Sequence, residues 1–187
     1  KSMIFRYMEP DCQMLRTGGE VKDLPFYAAY IPIKETELNL SEFSRFDVSN
    51  HAPLVINEHL MVANVASKLF TSFLKRSAIS SLNSEQLEEL KIFFGNDFRA
   101  SLANSGWDES LPDISQAANF EEIFQHIVGI FDKIYADGNL YIRRSAFVAQ
   151  PQPYTGPLFG YMDFLAPLVK KLQNLSFMAS GPIYLLV

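Results

Sequence analysis

Cysteine is almost missing from this chain. Cys12 stands alone among 187 residues, so no intrachain disulfide and no cysteine-based metal cluster can form. A reducing compartment suits that scarcity, as does a secreted chain without disulfides; the sequence reads as soluble and leans to the cytoplasm. Long apolar runs are missing too. The most apolar helical stretch, 60–74, is interrupted by Asn64, Ser67 and Lys68, and is too short and too polar to span a bilayer. Residues 1–10 hold no sustained apolar run, which excludes a secretory signal there, and the lack of an initiator Met fits a processed or excised chain. Neither a low-complexity tract nor an internal repeat is present.

The familiar chemical motifs are also lacking. No Gly-x-Ser-x-Gly elbow offers an activated serine. Glycines that cradle phosphate need close spacing at a strand-to-helix junction. The nearest approach, Gly156-Pro157-Leu158-Phe159-Gly160, has neither a third glycine nor the lysine of a phosphate loop. It reads more simply as a helix entry with Pro157 in the first turn. Adjacent carboxylates such as Glu88-Glu89, Asp108-Glu109 and Glu121-Glu122 diverge on a helix, so they solvate a surface rather than form an acid/base couple.

Basic residues are scarce where acids are dense. Residues 84–122 hold nine carboxylates against Lys91 and Arg99, a charge of −7, while the whole chain carries −5. Phosphate contacts need lysine and arginine, so no nucleic-acid face is expected there. The pairs Lys75-Arg76, Arg143-Arg144 and Lys170-Lys171 read as solvated or helix-end features.

What is abundant is phenylalanine, sixteen residues against a single tryptophan, which predicts a ring-filled interior. The organising stretch is 119–138, where Phe120, Ile123, Phe124, Ile127, Phe131, Ile134 and Tyr135 recur at helical spacing. Asn119 and Glu122 can close a capping box, and Gly138 is placed to end the helix in a left-handed turn. A second helix spans 56–77. On it Met61, Val65, Leu69 and Phe73 share one face, with Val62, Ala66, Phe70 and Leu74 beside them, an arc wide enough for burial on more than one side. A third starts at Asn83 with Gln86 completing a box, and carries Leu87, Leu90, Phe94, Phe98 and Leu102; Gly95-Asn96 weakens its middle, and Asn104-Ser105-Gly106 stops it.

Residues 107–118 form a linker holding Pro112. Near the C-terminus Leu158, Met162, Leu165, Val169 and Leu172 give another stripe, with Pro167 imposing a kink or a true start near Ala166. Strand character belongs to 2–8, 26–33, 139–149 and 183–187, and a short helix to 40–46. The expectation is an α+β fold: a core of three to four helices, with short strands contributed by the N- and C-terminal segments. It forms one domain over 1–187, in which a strand subregion (1–50) precedes the helical core (51–187). The terminal strands can pair with each other.

Candidate site residues are few. His51, Glu58 and His59 form the densest cluster, with Asp163 as a further member, yet their spacing matches no established zinc motif. Glu122 and His126 lie one helical turn apart and read as an exposed pair. Cys12 has no local partner and reads as a bystander thiol. Trp107, in an acidic connection, can anchor a partner or fold back as a plug over the helices.

Residues 94–109, FGNDFRASLANSGWDE, resemble an early helical segment of haem-dependent gas-sensing domains over sixteen residues. That family's Tyr-x-Ser-x-Arg motif has no counterpart. The nearest string is Tyr141-Ile142-Arg143-Arg144-Ser145, and no histidine follows His126. The resemblance therefore implies no haem site, and neither a metal nor a cofactor is expected.

Two readings result. In one the chain is a non-catalytic interaction or assembly domain, engaging a protein partner or a second copy of itself. In the alternative it is a binding protein or enzyme using an apolar, aromatic-lined pocket between the central helices, open to a small apolar ligand.

Overall fold

The longest helix runs past the glycine expected to end it. In the computed structural model, which describes residues 2–31, 52–75, 82–145, 148 and 152–186, it covers Phe120–Ser145. Its start is as the sequence indicates: Asn119 Oδ1 accepts from the Glu122 amide at 3.0 Å. Glu122 returns the bond one residue earlier than a standard box, accepting from the Ala118 amide at 3.1 Å. Gly138 is buried inside the helix, and the residues read as a strand from Asn139 onward continue it to Ser145. Helical periodicity persists there because Tyr135, Gly138 and Ile142 extend the inward face.

In chain order the elements are α1 (Ser2–Met8), α2 (Pro10–Thr17), β1 (Tyr27–Tyr30), α3 (Ala52–Phe73), α4 (Ser84–Ile92), a π-helical stretch (Phe93–Phe98), α5 (Arg99–Asn104), α6 (Phe120–Ser145), a second π-helical stretch (Tyr161–Leu165), α7 (Ala166–Gln173) and β2 (Ile183–Leu186). This is the α+β fold the sequence indicates: a helical core, and one strand from each end of the chain.

Residues 2–8, read as a strand, are helical. Phe5 and Met8, three residues apart, turn partly inward, and the Phe5 ring sits 6.1 Å from that of Tyr30. Pro10 then opens α2, where its missing N–H costs nothing. The short helix expected at 40–46 lies outside the described residues.

β1 and β2 pair in parallel, from Tyr27 opposite Ile183 to Tyr30 opposite Leu186, and form a two-stranded sheet among the described residues. A parallel pair needs a long crossover, and here α3 to α7 supply it. Asn83 caps α4 as expected, with its side chain and that of Gln86 each bonding the other's amide. Gly95-Asn96 does not break the chain of helices. A π-helical stretch carries the backbone through, and keeps Phe93, Phe94, Phe98 and Leu102 on the core side. Pro167 is handled similarly. The Tyr161–Leu165 stretch precedes it, and α7 begins at Ala166.

Phenylalanine fills the space between α3 and α6. Phe73 stacks on Phe124 at 5.0 Å, Phe70 on Phe131 at 5.9 Å, and Phe159 stacks on Phe164 at 4.1 Å beside them. Tyr27 brings the only hydroxyl of this stack, shared with Ser72 Oγ at 2.8 Å, and its ring lies 4.6 Å from Phe73. No helix among the described residues is long and apolar enough to cross a membrane.

Candidate functional site

Two neighbouring residues on α3 reach for the same loop. His59 is fully buried, and its Nδ1 accepts the Phe159 amide at 3.1 Å. A neutral ring with Nδ1 accepting carries its proton on Nε2, which lies 3.2 Å from Tyr154 Oη. Burial lowers the imidazole pKa to about 4, so the ring is neutral at pH 7. Glu58 Oε1 accepts the Tyr161 amide at 2.9 Å, at the entry to the second π-helical stretch. The pair thus clamps residues 154–161 onto α3. Both ring nitrogens of His59 are engaged by the protein itself.

The other candidates scatter. His51 lies outside the described residues. Asp163 is exposed, and a methyl group built on Gly160 would come within 4 Å of both its carboxylate and that of Glu58. Among the described residues, no three His, Cys, Asp or Glu side chains gather as a metal-binding group. His126 is exposed and Glu122 serves the helix cap. Cys12 is half-buried on α2.

Trp107 follows the left-handed turn at Gly106, and its amide donates to Leu102 O at 3.0 Å. The indole is half-buried against the core, with Lys133 Nζ 5.5 Å from the ring centre. Lys133 also pairs with Glu109.

One sizeable concavity among the described residues is not where sequence reasoning pointed. A groove of about 860 Å³ runs between α3, the Tyr161–Gln173 segment and β2. Its walls include Met61, Val65, Val169, Ile183, Tyr184 and Leu185. Met61 is 44% exposed and Tyr184 45%, although both sit in patterns that read as buried. Only position in three dimensions separates Met61 from the core members of its stripe. The one available signal is the width of the apolar arc on α3, part of which faces this groove rather than the core.

The groove views β2 edge-on. Ile183 and Leu185 point to one face of the sheet and Tyr184 to the other, yet all three line it. Tyr27 and Ile31 of the β1 segment donate to Pro182 O and Leu186 O. With that register the amides of Tyr184 and Leu186 turn toward β1, while the backbone groups of Ile183 and Leu185 turn away from it. Apolar walls beside a strand edge that no described residue pairs with can take up an extended apolar segment.

Neither the curated proteins nor the solved structures yield a match to this chain. A family match does exist, and it runs over residues 1–187: the chain belongs to the ORC-CDC6-like family.

Proposed function

We propose that the chain is a non-catalytic interaction and assembly domain of an ORC-CDC6-like protein, and that it docks an extended apolar segment of a protein partner along β2. The observation that carries this reading is the groove of about 860 Å³ beside a strand edge left unpaired among the described residues. An added strand would bond Ile183 and Leu185 through its backbone and bury alternate side chains between Met61 and Val169. Membership of the family supports the assembly half of the reading, because it relates the chain to ORC/CDC6-type assembly proteins. No nucleic-acid contact is proposed for the acidic segment 84–122, whose charge is −7.

Light scattering and amide-resolved NMR test the proposal. A synthetic octapeptide of alternating valine and threonine should shift the amides of Ile183 to Leu186, and Met61→Lys should abolish those shifts without changing the far-ultraviolet spectrum. A mass above 21.2 kDa that grows with concentration and is reversed by Met61→Lys would identify the partner as a second copy. A chain that stays monomeric and ignores the peptide would overturn the reading. So would duplex DNA binding that weakens steeply with salt and is lost on charge changes within 84–122.

A further inference from the structure

A smaller cavity, of about 290 Å³, lies where the linker after α5, the second half of α6 and the loop before Phe159 meet. Three aromatic side chains line it, Trp107, Tyr141 and Tyr154, and so do three carboxylates, Asp108, Glu109 and Asp137. It shares no lining residue with the groove along β2.

The rings are held from outside the cavity. Tyr141 donates its hydroxyl to Gln152 O at 2.9 Å, and Tyr154 Oη is engaged by His59. The two rings meet edge to face at 5.1 Å, which locks both. Trp107 is packed against the core on its other side. These walls therefore need no rearrangement to receive a guest. Pre-formed aromatic faces attract cations through their ring quadrupoles, more so where carboxylates add their field.

One cation already stands beside two of these lining residues, although it does not itself line the cavity. Lys133 Nζ stands 5.5 Å over the Trp107 ring and pairs with Glu109. Its ammonium is held above the usual lysine range, first by the Glu109 bond and then by the charges of Glu109, Asp137 and Asp108. One ammonium faces three carboxylates, so Asp108 and Asp137 remain uncompensated by it. Arg143 and Arg144, further along α6, do not line the cavity.

We propose that this cavity is a recognition site for a lysine or arginine side chain from a basic segment of a partner protein. The ammonium or guanidinium would sit between the Tyr141 and Trp107 rings and pair with Asp137 and Asp108. The aliphatic stem would cover Ile134, which also lines the cavity.

Trp107 is the single tryptophan, so its fluorescence reports on this cavity alone. Blocked tripeptides Ala-Lys-Ala and Ala-Arg-Ala should change that emission saturably, while the norleucine and citrulline counterparts should not. Asp137→Asn should weaken the response about tenfold, the loss of about 1.4 kcal/mol. Tyr141→Leu should weaken it as well, and Lys133→Met should strengthen it by removing a neighbouring positive charge. Equal responses to norleucine and lysine would reduce the site to an apolar crevice and overturn the proposal. It fails equally if no peptide gives saturation, by fluorescence or by the indole N–H resonance, or if Asp137→Asn leaves the affinity unchanged. None of these outcomes depends on whether β2 accepts a strand.

Discussion

Gly138 of α6 lies directly against Leu60 of α3. A methyl group added to Gly138 would stand 2.5 Å from Leu60 Cδ2 and 3.6 Å from His59 Nε2. Leu60 would have to swing aside within a packed cluster, since it is fully buried with Ile56 and Ile142. Alanine ordinarily favours a helix interior by roughly 1 kcal/mol over glycine. Overpacking here costs about 1–3 kcal/mol. Gly138→Ala should therefore destabilise the chain by a net amount on the order of 1 kcal/mol. On a Leu60→Ala background, where room is made, the same change should become neutral or stabilising. Urea unfolding of the four variants measures that reversal, and additive losses would disprove the contact.

This contact also marks what the sequence can and cannot convey. Cap chemistry is local, so Asn83 with Gln86 and Asn119 with Glu122 are readable from neighbours alone. A glycine in a helical pattern has two uses, a terminating turn or a close crossing, and Gly138 has the second. The choice depends on Leu60, far away along the chain. The same holds for the candidate site. Glu58 and His59 look like a reactive pair in sequence, but their partners are the amides of Tyr161 and Phe159, which only the fold brings to them. Met61 shares the stripe of buried residues on α3 and ends up in the groove beside β2. Residues 2–8 are apolar without alternation, and the helix they form sets Phe5 beside Tyr30.

His59 gives the fold a pH dependence with a definite sign. Its folded pKa is about 4, while in the unfolded chain it titrates near the ordinary imidazole value of 6.5. Between those values the unfolded state holds a proton that the native state does not, so stability rises with pH. The contribution is complete above about pH 6.5 and is lost as pH falls toward 4, amounting to roughly 3 kcal/mol at most. The comparison is with His59→Gln, which removes this imidazole alone. Unfolding free energies at pH 7 and pH 5 should differ less in that variant than in the parent. An unchanged difference would mean that burial of this imidazole does not govern the acid limb.

Asn83 offers a cleaner local test. Its side chain accepts the Gln86 amide at 2.9 Å, and Gln86 returns the bond at 3.1 Å, both at an exposed helix start. Asn83→Ala removes the acceptor without opening a cavity, and should lower stability by about 1 kcal/mol. Asn83→Asp keeps an acceptor and adds a charge favourable to the helix dipole, so it should be neutral or better. Chemical denaturation resolves the pair, and equal losses in both would show that this cap does not limit stability.

The strand edge makes the last prediction, and it separates residues only one position apart. In the register from Tyr27 opposite Ile183 to Tyr30 opposite Leu186, the amides of Tyr184 and Leu186 donate toward β1, and those of Ile183 and Leu185 do not. Hydrogen exchange in the free chain should therefore alternate along β2, slow at Tyr184 and Leu186 and fast at Ile183 and Leu185. When an extended segment occupies the groove, the two fast amides should slow, because an added strand supplies the carbonyls they lack. A partner that buried only the apolar walls, by contrast, would exclude water from Met61 and Val169 and leave the alternation intact. Uniform protection in the free chain would mean the edge is already paired, and the docking surface would have to be sought elsewhere on the molecule.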